Sequence, residues 1–198
     1  MYEVSDLGST SPVHVAGAIN WAVEHNKTSP EKIDVINISF GVENSQADIA
    51  AAVEAAVKAG ILIVAASGNY GFNKVMFPAN MKKVIGVAAI TPAGGAYMKS
   101  SYGAGVDFAA PGQNVFTTHI NNDYRIVEGT SAAAPFVAGM AALAIEAYRK
   151  ANNGQSPTPK QVKKILVNAA VPAKGAQQIR QGHGFIDASK ILSQFSSK

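Results

Sequence analysis

Continuous apolar runs of strand length, alternating with segments of helix length, predict an α/β protein. The expected architecture is three-layered: a mostly parallel sheet with helices on both faces. Three observations carry this. Val35–Phe40, Ile61–Ala66 and Val84–Ile90 are nearly unbroken apolar stretches, as strands buried on both faces require. The segments before and between them, Val13–Asn26 and Ala47–Lys58, have helical length and composition. Hydrophobic residues make up 47% of the 198-residue chain and glycines number 18, which fits one tightly packed domain over residues 1–198.

Taken in order, a short extended piece at Tyr2–Ser5 leads to the helix near Val13–Asn26. The strand Val35–Phe40 leads to the helix Ala47–Lys58, and Gly60 stands where a left-handed C-terminal cap belongs. The strand Ile61–Ala66 then runs to Asn69, and Val84–Ile90 supplies another. Asn114–His119 and Tyr124–Val127 flank Asn121-Asn122-Asp123, a hairpin signal. An apolar run from Ala132 to Ile145 forms a buried helix with Pro135 expected in its first turn. Thr158-Pro159 opens a later helix that reaches about Ala170.

Composition narrows the function. With no cysteine, disulfides, thiol catalysis and cysteine-based zinc sites are excluded. Seventeen basic against thirteen acidic residues leave a net charge of only +4. Lys160, Lys163 and Lys164 share one helix and read as a solvated face; no aromatics interleave with them, so nucleic acid is not an expected partner. The run Ala132–Ile145 ends at Glu146 and is short for a membrane span, so no membrane is expected either. Met1-Tyr2-Glu3-Val4 has neither the charged start nor the apolar stretch of a secretory leader. Acidic residues are scattered, and no metal cage is apparent from their spacing.

The chemistry concentrates in residues 129–139, Gly-Thr-Ser-Ala-Ala-Ala-Pro-Phe-Val-Ala-Gly. Ser131 would lie at a helix N-terminus, where unpaired N–H groups and the helix dipole favour negative charge. Gly129 permits a sharp turn, and the alanines allow a close approach by a substrate. Taken alone, these residues would be better explained by a helix-capping serine than by a nucleophile. Asn69, after Gly68 at the end of an apolar strand, taken alone likewise suits a left-handed turn better than an active site, and only Ser131 in its expected place reverses that order. An α/β-hydrolase arrangement fails. The sole carboxylate between Ser131 and His183 is Glu146, fifteen residues along the same helix and thus about 22 Å away. Ala133 also replaces the second glycine of a nucleophile elbow.

Three segments, in order, together resemble the subtilisin-like serine proteases (subtilases): Asp34–Gly41, Gly60–Gly71 and the Ser131 stretch. Ser100-Ser101-Tyr102-Gly103, Ala110-Pro111-Gly112 and Gly182–Asp187 extend the resemblance over nearly the whole chain. It implies a serine endopeptidase with Ser131 as nucleophile, and Asn69 with the Ser131 N–H as oxyanion donors. Ser39, Phe40, Gly41, Ala66, Ser67 and Gly68 would wall the pocket for the residue before the scissile bond. Gly8–Ser11 would offer an edge for residues further upstream, and Phe40 with Val42 brings more bulk than the family usually has there.

The resemblance also implies what is missing. Subtilases carry their aspartate and histidine motifs upstream of every segment matched here, so the N-terminal strands are expected to be absent. His14-Val15-Ala16-Gly17 and Asp6-Leu7-Gly8 imitate the two motifs and make His14 and Asp6 an alternative base and acid. They lie eight residues apart, whereas the family separates them by whole strands and helices. His25, His119 and His183 are expected to be structural.

The expected function is therefore the C-terminal part of an endopeptidase catalytic unit, acting on polypeptides and requiring no cofactor. An upstream fragment would supply Asp and His, and the chain alone would be inactive. The alternative is a non-catalytic peptide-binding remnant. The family likeness further allows structural calcium and points to an extracellular or cell-envelope setting.

Overall fold

The computed structural model describes residues 10–196. Tyr2–Ser5 and Asp6, and the Gly8 end of the expected substrate edge, lie outside the described residues.

The core is a four-stranded sheet, β1 (Val35–Ile38), β2 (Leu62–Ala66), β3 (Ile85–Ile90) and β4 (Phe108–Pro111), in that spatial order. Every neighbouring pair is parallel, with Val35 opposite Leu62, Val64 opposite Ile85 and Val87 opposite Phe108. Alternation along β2 shows why both faces are covered. Leu62, Val64 and Ala66 join the core under α3 (Thr130–Ala151), α4 (Pro159–Ala169) and α6 (Ala188–Ser193). Ile63 and Ala65 join the opposite core, beneath α1 (Pro12–Thr28) and α2 (Ala47–Lys58). All five β2 residues are buried. The protein is thus a three-layer α/β structure with a parallel sheet.

The helix boundaries follow local chemistry. α2 occupies the expected residues and ends in a Schellman arrangement. Ile61 N–H reaches the Ala56 carbonyl at 2.9 Å and Gly60 N–H reaches Val57 at 3.1 Å, with Gly60 at φ +88°. α4 begins in a capping box: Thr158 accepts from Gln161 N–H while Gln161 returns the bond to the Thr158 N–H. The hairpin comprises β5 (Val115–His119) and β6 (Asp123–Val127), turned through Asn121 and Asn122 at positive φ.

Three expectations change. β1 stops at Ile38 rather than Phe40, because β2 pairs with it only that far. β4 is a strand that its four residues, closed by a proline, did not announce. Finally, α3 starts at Thr130, earlier than the apolar run, and extends to Ala151. At 22 residues with a peak mean hydropathy of 1.4, α3 is long and apolar enough to cross a membrane by length and composition. Here its alanine-rich face, including Ala133, Ala134, Val137, Ala141 and Ala144, lies buried in the core it shares with the sheet. Small side chains let the helix axis come close to the strands.

Pro135 is accordingly the sixth residue of α3, not part of its first turn. At the far end of α3, Arg149 pairs with Asp34 through two bonds of 2.6 and 2.8 Å, tying the helix to the residue before β1. Both side chains are about one-third exposed (29% and 32%), so screening holds the contribution to about 1 kcal/mol. Short β7 (Ala170–Val171) and β8 (Phe185–Ile186), with α5 (Gln178–Gln181), close the C-terminal segment against β4.

Candidate active site at the start of α3

The C-terminal ends of β1 and β2 meet the N-terminus of α3, where open α/β sheets bind their ligands. Gly129 makes the entry to the helix. It sits at φ +119°, and a Cβ there would stand 2.8 Å from Asn69 Nδ2. Any side chain would therefore be both strained and displaced against that amide.

Thr130 locks Asn69 to the helix. Its backbone N–H and its hydroxyl both donate to Asn69 Oδ1, at 2.8 and 3.0 Å. The Thr130 Oγ1 in turn accepts from Gly68 N–H at 3.1 Å. Thr130 is fully buried, Gly68 is half-buried and Asn69 is exposed, so the clamp joins the interior to the surface of the cleft. With both donors on Oδ1, the amide has one orientation, and its NH₂ makes no hydrogen bond among the described residues. Thr130 was not singled out from sequence. Its place between Gly129 and Ser131 gave no cue that it would reach Asn69, 61 residues away.

Ser131 is exposed. Its hydroxyl donates to the Ser39 carbonyl at 3.1 Å, and the Ser39 hydroxyl donates to the Ser131 carbonyl at 2.8 Å. Asn37 Nδ2 donates to Ser39 Oγ at 3.0 Å. The structure thus brings Ser39, Asn69 and Ser131 together around one helix terminus.

The remaining cleft residues divide. Gly41 is exposed beside Ser39, and Gly68 is half-buried. Phe40 packs partly against the α1–α2 core, which takes up much of the bulk expected at the cleft. Ala66 is buried in the sheet. Ser67 is fully buried and its hydroxyl donates to the Ser101 carbonyl at 2.9 Å. Its N–H and carbonyl are committed to Val87 and Met76. Ser67 therefore supports the cleft from beneath and has no polar group to offer a ligand.

None of the four histidines is among the described hydrogen-bond partners of Ser131. His14 is exposed in the first turn of α1. His25 stacks on Trp21 at 5.1 Å and its Nε2 meets the Glu31 carbonyl at 2.9 Å. His119 ends β5, and the His183 ring lies 5.8 Å from that of Phe108. Among the described residues no three His, Asp or Glu side chains cluster to hold a metal ion.

On the other side of Ser131, a groove of about 570 Å³ runs between the hairpin and α3. Val115, Arg125, Val127, Glu128, Pro135 and Phe136 are among its lining residues. Glu128 accepts a hydrogen bond of 3.0 Å from the Tyr97 hydroxyl. Burial chiefly, then this bond and the nearby negative charge, push the Tyr97 phenol above its ordinary value.

Comparison with known proteins bears on the family and the fold. A profile of the subtilase family matches residues 1–184. The chain is 39% identical over 148 residues to a thermostable alkaline protease of Halalkalibacterium halodurans, covering 75% of this chain and 39% of that one. It is 38% identical over 146 residues to subtilisin Savinase of Lederbergia lenta, covering 72% and 52%. Halolysin of Haloferax mediterranei shares 34% over 191 residues, covering 96% and 34%. The chain thus spans between about a third and a half of these curated relatives. Among solved structures, a lanthipeptide protease superposes with a TM-score of 0.83 at 28% identity, covering 98% of this chain and 69% of that one. A protease of Pseudoalteromonas arctica gives 0.83 at 28% identity, covering 96% and 60%. With its three-layer sheet, its matched segments and these relatives, the chain belongs to the subtilase family.

Proposed function

We propose that this chain is the C-terminal part of a subtilisin-like serine endopeptidase catalytic unit. Ser131 is the nucleophile; Asn69 Nδ2 and the Ser131 N–H receive the oxyanion. The observation that carries this reading is the clamp on Asn69: Thr130 occupies its carbonyl oxygen and leaves the amide only to donate, beside the helix terminus that bears Ser131.

In the reaction, Ser131 Oγ attacks the scissile carbonyl and its proton passes to a histidine base. The tetrahedral oxyanion collects on the two donors. The C–N bond then breaks, the amine departs with the proton, and water hydrolyses the acyl-enzyme. None of these steps requires a cofactor, and structural calcium belongs to the proposal only through family likeness. The acyl side of an extended peptide lies along Ser39–Gly41 and Gly68, adding a strand by backbone hydrogen bonds. The leaving side occupies the groove beside the hairpin.

The base and its aspartate come from an upstream polypeptide. Ser131 Oγ donates to a backbone carbonyl, which cannot take the proton away. In subtilisin itself, removing the base alone costs roughly 10⁶ in turnover, so the isolated chain is expected to be nearly inert. The same hydrogen bond favours the second reading, a remnant that binds peptides without cleaving them. A compressed triad through His14 and Asp6 is the third. An extracellular or cell-envelope location belongs to this proposal and rests on family likeness.

A fluorophosphonate probe tests the reading. Labelling of Ser131 only when an upstream subtilase fragment is added supports it, and Ser131→Ala abolishes the signal. Strong labelling of the isolated chain, lost in His14→Ala, would replace it with the compressed triad. Peptide binding without labelling in either case would replace it with the binding remnant.

A further inference from the structure

Pro135 removes a hydrogen bond from the residue that matters most, and Ser39 supplies a substitute. In an α-helix each N–H donates to the carbonyl four residues earlier. Pro135 lies inside α3 and has no N–H, so the carbonyl deprived of its helical donor is that of Ser131. The proline ring also crowds this same carbonyl. An unpaired carbonyl in the first turn would leave the backbone of Ser131 free to shift, and with it the direction of its Cα–Cβ bond.

We propose that Ser39 is a positioning residue for Ser131: its hydroxyl replaces the N–H that Pro135 lacks and so holds the backbone of the nucleophile in register with Asn69. This inference rests on the functional reading above. The Ser39 hydroxyl donates to the Ser131 carbonyl at 2.8 Å. Asn37 Nδ2 donates to Ser39 Oγ at 3.0 Å, occupying one lone pair and leaving the O–H for Ser131. Asn37 and Ser39 can cooperate because residues two apart in extended chain point to the same face. The return bond, Ser131 Oγ to the Ser39 carbonyl at 3.1 Å, closes a ring between the end of β1 and the first turn of α3. Thr130 holds the same turn from the β2 side through Asn69 and Gly68. The nucleophile is therefore fixed from two strands, once through its own carbonyl and once through its neighbour.

The test uses variants whose effects separate along this logic. Ser131 labelling by a small fluorophosphonate is followed with imidazole added as an external base, and in parallel with an upstream fragment. All rates are read at a temperature where each variant is folded by circular dichroism. Ser39→Ala is expected to slow labelling about tenfold, the factor for roughly one net hydrogen bond. Ser39→Thr keeps the hydroxyl and stays within about twofold of the parent. Ser39→Ala combined with Pro135→Ala restores most of the loss, because the new N–H of residue 135 reaches the Ser131 carbonyl.

A Ser39→Ala rate equal to the parent's would overturn the inference and leave the proposed function standing. A slow Ser39→Ala that Pro135→Ala does not restore would also overturn it, since Ser39 would then act only as cleft wall. If the parent is not labelled under either condition, the proposed function falls and this inference with it.

Discussion

Replacing Thr130 with valine tests the clamp at the heart of the site. Valine matches threonine in shape, so no cavity opens and packing is preserved. What disappears is a buried hydroxyl that donates to Asn69 Oδ1 at 3.0 Å and accepts from Gly68 N–H at 3.1 Å. Asn69 keeps the Thr130 backbone N–H at 2.8 Å, so its loss is one of two donors, about 0.5–1 kcal/mol. Gly68 N–H is left half-buried without its acceptor, which costs about 1–2 kcal/mol. The sum is about 2 kcal/mol. For a domain of this size that lowers the melting temperature by about 4–8 °C. Urea unfolding followed by far-ultraviolet circular dichroism should show a lower midpoint with an unchanged slope. A shift below about 0.5 kcal/mol would refute the reasoning, since the clamp would then be open to water and unable to orient the Asn69 amide.

Two further outcomes are expected. Among the described residues β1 pairs on one side only, with β2, and its Val35 and Ile36 are half-buried rather than guarded by charge. The isolated chain should therefore associate or melt at a temperature that rises with protein concentration, as sedimentation and calorimetry would show; a sharp, concentration-independent monomer melt counts against an open edge. Tyr97 is 6% exposed and bonded to Glu128, and its phenol is raised above 10.0. A raised folded value stabilises fully below the unfolded value and loses that contribution as pH rises through the folded one. The stability advantage of the parent over Tyr97→Phe should thus be constant up to about pH 10 and shrink above it. An advantage that grows with pH would contradict the sign.

Much of the molecule was legible as sequence because the signals were local. Helix α2 falls on its expected residues because an amphipathic run was closed by Gly60, whose positive φ completes a Schellman motif. The buried strands β2 and β3 followed from unbroken apolar runs. The family was legible as motif: Ser131 after Gly129-Thr130 and Asn69 after Gly68 carried the likeness, and the family match over residues 1–184 bears out the family.

What sequence reading lacked were relations between distant residues. β4 is only four residues long, and its strand character comes from pairing with β3. Ser67 looked like a cleft wall, yet it is fully buried and its hydroxyl donates to the Ser101 carbonyl, 34 residues away, a partner that no local pattern discloses.

The sequence by itself determined the fold class and the family and singled out Ser131, because apolar period, turn residues and motif spacing are properties of neighbouring positions. Only the tertiary structure decided how that serine is held. Its contacts join residues 61 to 92 positions apart, Thr130 with Asn69 and Ser131 with Ser39. Hydrogen bonds at about 3 Å depend on where the sheet places its strand ends, and that placement is set by the packing of α3 across all four strands.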